Sequence, residues 1–127
     1  MLPEQLARAW LAHAEGDLAL ASVQAPAAVP LELLCFHAQQ AAEKALKAFL
    51  LAHGESPPRT HDIGVLVEQV EAIALVPPSL RAAASLTEYA VATRYPGDAE
   101  PVTPRDLAAA LSHARAVLEA VRRQIGG

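Results

Sequence analysis

The chain has 127 residues, 53% of them hydrophobic but only 4% aromatic, which fits a single domain whose core is built from Leu, Ala and Val. A net charge of −4 argues against a general nucleic-acid binder, while leaving room for a local basic patch. One cysteine, Cys35, excludes an intrachain disulfide framework, and no run approaches the roughly 18 apolar, uncharged residues of a membrane span.

The ten prolines act as punctuation and divide the chain into five helical segments. The first is expected over 4–23, with Leu6, Trp10, Ala14, Asp17, Leu18 and Ala21 near one face. On that largely apolar stripe Asp17 reads as a hydrogen-bonded core carboxylate or the partner of a cation. The second runs from about Leu31 to His53 and stops at Gly54, a residue type favoured just past a helix end. The third starts from Thr60 as N-cap and reaches about Ala74. The fourth spans Leu80 to Thr93, and a loop through Arg94 and Tyr95 to Pro101 follows it. The fifth opens with Thr103 as N-cap, Pro104 at the first helical position and Asp106 three residues after the cap, and runs to about Ile125. No strictly alternating strand pattern is present. The expected fold is all-α, an antiparallel up-and-down four-helix bundle with one additional short helix.

The second segment carries the polar residues that raise the question of function. At 100° per residue, Leu34, Ala38, Ala41, Ala42, Ala45, Leu46, Phe49 and Ala52 fill a core arc. His37, Gln39, Gln40, Glu43, Lys44 and Lys47 fill the other. Glu43 and Lys47, four apart in the favourable order, read as a solvent-exposed pair worth roughly 0.2–0.5 kcal/mol. Phe36, Leu50 and Leu51 interrupt this polar arc. The face carrying them with Gln40 is expected to meet a second subunit in a symmetric homodimer. Cys35 turns toward the core and reads as an inert buried thiol.

The run Phe36-His37-Ala38-Gln39-Gln40-Ala41-Ala42-Glu43-Lys44-Ala45-Leu46-Lys47-Ala48 resembles the signature helix of the HEPN family, the nucleotide-binding domain of higher eukaryotes and prokaryotes. Trp10 with Asp17-Leu18, Thr60-His61-Asp62-Ile63, and Tyr89 with Thr93-Arg94-Tyr95-Pro96 resemble the family's other patterns in order and spacing. The resemblance implies a helical bundle that dimerises and binds a nucleotide. In prokaryotes it also implies a minimal nucleotidyltransferase partner in a toxin–antitoxin-like pair. For phosphate and base the candidates are Lys44, Lys47, Arg94 and Tyr95.

Divergent HEPN members are metal-independent ribonucleases with an Arg, four to six residues, then a His near the C-terminal part of the bundle. This chain departs from that pattern: no His follows Arg94 within reach, and Arg105 stands eight positions before His113. Arg8 and His13 have the spacing, but in the first helix, where the family's motif does not sit. Catalysis is therefore not the favoured expectation, and RNA is not the favoured ligand. Metal-free RNA cleavage needs a base, an acid and a cation near phosphate, for which His61, His37 and Arg94 are the candidates. The third reading is a non-catalytic dimeric scaffold. No cofactor or metal is expected, since the six glycines form no phosphate loop and the histidines are dispersed. The opening Met1-Leu2-Pro3-Glu4 has neither the basic start nor the apolar run of a signal peptide, so the expected location is the cytoplasm.

Overall fold

The computed structural model describes residues 2–90 and 100–125. The described residues form α1 (Pro3–Ala21), α2 (Leu31–Ala52), α3 (Ile63–Glu71), a single-turn α4 (Ser79–Ala82) that continues as a 3₁₀ helix (Ala83–Tyr89), and α5 (Pro104–Ile125). No strand occurs among them, and no helix is long and apolar enough to cross a membrane.

Local chemistry sets the boundaries. The backbone N–H of Leu2 donates to Gln5 Oε1 at the start of α1, and at its end the Ser22 hydroxyl donates to the Leu18 carbonyl. α2 closes in a Schellman turn: Glu55 N–H donates to Leu50 O and Gly54 N–H to Leu51 O. Gly54 supplies the φ of 78° that the turn requires. At the start of α5, Thr103 N–H donates to Asp106 Oδ2 and Asp106 N–H to Thr103 Oγ1, a reciprocal box built with Asp. Those bonds, backbone first, hold the exposed Asp106 carboxyl below the usual carboxylate range.

Two expected elements differ. α3 is capped by Asp62, whose Oδ1 accepts from Val65 N–H, and it ends at Glu71 rather than near Ala74. Thr60 instead accepts the Asp62 N–H, so its oxygen is spent on the turn before the cap. The fourth segment is not one α-helix from Leu80 onward. After Ala82 it tightens into 3₁₀ winding, and Thr87 Oγ1 accepts the N–H of Ile63, tying the segment to the first turn of α3. Residues 91–99, with Arg94, Tyr95 and most of the expected loop, lie outside the described residues.

α2 is the centre of the molecule. It touches α1, α5, α3 and the 3₁₀ helix, and 13 of its 22 residues are buried, too many for a helix with one wet face. Its alanines at 38, 41, 42, 45 and 48 are buried and let neighbouring axes come close. Leu46, Phe49, Leu66, Leu80, Leu86, Val117 and Leu118 fill the remaining core. Lys47 reaches Trp10 while Lys44 reaches Asp17, so α1 and α2 run in opposite directions. Arg122 to Glu15 and Arg115 to Ser22 set α5 against α1 in the same sense.

Thr103→Ala removes half of the cap at α5 and is expected to cost about 1 kcal/mol of stability. A denaturant melt compared with that of the parent chain reads it directly.

Candidate functional site

The polar residues of α2 are not a solvated face. Gln39 is fully buried, Glu43 is 4% exposed and Lys47 8% exposed. An unpaired charge would be costly at such depth, so the interest lies in how each polar atom is satisfied. Glu43 Oε2 accepts from Lys47 Nζ at 3.0 Å. Its Oε1 accepts from His61 Nδ1 at 2.8 Å and from Gln39 Nε2 at 3.1 Å. Gln39 Nε2 also donates to the His61 carbonyl at 3.0 Å, and its Oε1 accepts from Gln40 Nε2 at 2.8 Å. Among the described residues no buried side-chain nitrogen or oxygen lacks a partner.

Burial pushes the Glu43 carboxyl up, but the bonds from His61, Lys47 and Gln39 together outweigh it and leave the group below its ordinary value of 4.5. A depressed carboxylate contributes stability that is present above its unfolded value and is lost as pH falls through the folded one. Glu43 thus supports the fold at neutral pH and stops doing so on acidification below about 4.5.

A second carboxylate repeats the arrangement nearer the surface. Asp17 of α1, 8% exposed, accepts from Lys44 Nζ at 2.6 Å on Oδ2 and from His37 Nδ1 at 3.0 Å on Oδ1. The core-carboxylate reading of Asp17 and its reading as a cation's partner both hold. Two Lys–carboxylate–His sets therefore form around α2, one centred on the buried Glu43 and one at the α1–α2 seam. In each, the carboxylate accepts from Nδ1 and leaves Nε2 as the second ring nitrogen. His61 has a side chain 69% exposed although its partner Glu43 is buried.

The candidate residues fall into distinct places. Lys44 stands at the seam with its side chain 23% exposed, whereas the Lys47 ammonium is bonded inside, 5.9 Å from the Trp10 ring centroid. Leu50 is 1% exposed and belongs to the chain's own core rather than to its outer surface, because α2 is enclosed where a single-helix wheel leaves it open. Phe36, Gln40 and Leu51 are half-buried, and Cys35 is fully buried. His37 and His61 sit on different carboxylates. Arg94 and Tyr95 lie outside the described residues.

Sequence reasoning missed the open side of the seam. Leu6, Ala9, Trp10 and His13 of α1 and Lys44 of α2 line a groove of about 310 Å³. The spacing 6, 10, 13, 17 on α1 carries the signal, since it puts Leu6, Trp10, His13 and Asp17 along one face. Arg8 lies elsewhere: with Glu4, His53 and Gln124 it lines a second groove beside α5. Arg8 and His13 thus have the sequence spacing of a ribonuclease motif on different faces of α1. His113 lines a third, small cleft of about 80 Å³ with Asp106, Glu88 and Tyr89. There burial pushes the Tyr89 hydroxyl up, and its hydrogen bond with Glu88 pushes it further. Among the described residues no group of three or more His, Cys, Asp or Glu is placed to hold a metal ion.

The helical architecture agrees with what known proteins show. The HEPN domain family matches residues 7–124, nearly the whole chain, and the chain belongs to that family. It is also similar to the crystal structure of TT1696 from Thermus thermophilus, at 34% identity and a TM-score of 0.66, over 96% of this chain and 94% of that one. No curated protein matches.

Glu43→Gln keeps the shape of the buried set but leaves the Lys47 ammonium without its counter-charge. The expected cost is roughly 3–5 kcal/mol in a urea melt. The double variant Glu43→Gln/Lys47→Met is expected to recover most of that loss. A double variant no more stable than Glu43→Gln would contradict the pairing.

Proposed function

We propose that this chain is a HEPN nucleotide-binding and interaction module, acting with a minimal nucleotidyltransferase in a toxin–antitoxin-like pair. In this reading it is a single cytoplasmic domain, an antiparallel bundle that works as a homodimer. The partner and the pairing rest on family membership. The nucleotide half is carried by one observation: Lys44 is held in place at the α1–α2 seam by Asp17 and is still partly exposed.

A lysine ammonium has three donor hydrogens, and Asp17 takes one of them. A side chain already fixed by a carboxylate binds phosphate without the ordering cost of a mobile surface lysine. Arg94 and Tyr95 are proposed to complete the site with a second cation and an aromatic face. Lys47 supports it from inside through Glu43 and Trp10. Phe36, Gln40 and Leu51 form the proposed contact with a second subunit.

Equilibrium dialysis against labelled ATP tests the nucleotide reading. Saturable binding is expected, weakened about tenfold by Lys44→Ala and by Arg94→Ala, as for the loss of one charge-assisted hydrogen bond. No binding at millimolar ATP would contradict it.

A second reading, metal-independent RNA cleavage, is favoured by His61 alone. Its exposed ring is held through Nδ1 by a buried carboxylate, the tautomer a general base needs. Cleavage of RNA that persists in EDTA and disappears in His61→Ala would establish it. Activity retained in that variant would remove His61 from the reaction.

A further inference from the structure

The groove beside Lys44 has the size and lining to take a nucleobase, an assignment that rests on the nucleotide reading above and gives it a site. At about 310 Å³ it stands at the lower end of the volumes typical of small-molecule pockets. Its character also fits: among the described residues, Leu6, Ala9 and the Trp10 ring supply apolar and aromatic surface, and His13 and Lys44 supply polar groups beside the indole N–H.

The chain's composition points to the same spot. It has one tryptophan and two lysines, and its other cationic side chains are arginine and histidine. Trp10 and both lysines meet at this one seam, with Lys47 Nζ 5.9 Å from the Trp10 ring centroid and Lys44 on the groove wall.

The geometry points to a nucleotide whose base lies against Trp10 and whose phosphate meets Lys44. Aromatic rings accept any base because every base has a π-face, and the Lys47 charge beside the indole is held by Glu43 in the fold itself. The occupant is planar and apolar at one end and anionic at the other. Leu6, Ala9 and Trp10 match the first end. The Lys44 hydrogens not used by Asp17 match the second.

Trp10 is the only tryptophan, so the chain's tryptophan fluorescence comes from a ring on the groove wall. The experiment titrates the intact protein with ATP, adenosine and inorganic triphosphate, beside dialysis of the same samples. ATP is expected to quench Trp10 saturably, with the Kd found by dialysis. Adenosine is expected to quench with a weaker Kd that Lys44→Met, which keeps the length of the groove wall but removes the charge, changes little, whereas the same substitution raises the ATP Kd about tenfold. Triphosphate alone should leave the emission unchanged. Ala9→Phe fills the groove without removing a polar group and is expected to weaken ATP binding at least tenfold while the circular dichroism stays the same. ATP bound in dialysis with unchanged Trp10 emission and an unaltered Kd in Ala9→Phe would overturn the groove and leave the nucleotide reading standing. No binding by either method would overturn both.

Discussion

The buried carboxylate of Glu43 is the constraint around which the rest is arranged. Four percent exposed, it has lost its hydration and must recover the loss from side chains placed to reach it. Lys47 supplies a charge from the next turn of α2, Gln39 a donor from the previous turn, and His61 a donor from the approach to α3. One group thereby fixes two rotamers on α2 and pins the α3 approach, since Gln39 also holds the His61 carbonyl. Apolar contacts supply the bulk of the folding energy, but they are non-directional. The Glu43 set adds direction, because its hydrogen bonds tie it to the approach to α3.

The same helix serves two environments with one kind of grouping. At its centre Glu43 and Lys47 are closed off from water, and His61 reaches Glu43 from the surface. Toward the seam Asp17, Lys44 and His37 form a set that water reaches. The two lysines, three residues apart, differ in role for that reason: Lys47 is committed to the fold, and Lys44 has donors to offer. Trp10 connects the two, lying near Lys47 and lining the groove that Lys44 closes. The inner set holds the indole and α2 in register, and the outer set presents the cation.

Much of the fold was legible because it follows from local chemistry. Pro104, Thr103 and Asp106 announced the start of α5, and Gly54 the end of α2, as both are written in short-range hydrogen bonds. The fate of Leu80 onward was not legible, since its 3₁₀ winding and its bond to Ile63 are tertiary. The polar stripe was misread for a related reason. A helical wheel shows which residues of one helix share a side, not what packs on that side, and α2 has neighbours around most of its circumference. The clue lay in the alanines. A helix with small buried residues at 38, 41, 42, 45 and 48 is built for close approach on several sides, and Gln39, Glu43 and Lys47 at four-residue spacing among them form a ladder that bonds within the interior. The groove went unseen because it needs Lys44 and Trp10 together, from helices whose pairing the sequence does not state.

Site-resolved NMR titration of the glutamate carboxyl carbons tests the central claim most directly. Glu43 should titrate below its ordinary value of 4.5, the mark of a carboxylate kept ionised by His61, Lys47 and Gln39. A Glu43 that titrates at that ordinary value would mean that the residue is solvated. One that titrates above it would mean that burial outweighs its partners. Either result would contradict the role of Glu43 as the ionised, fully bonded centre of α2.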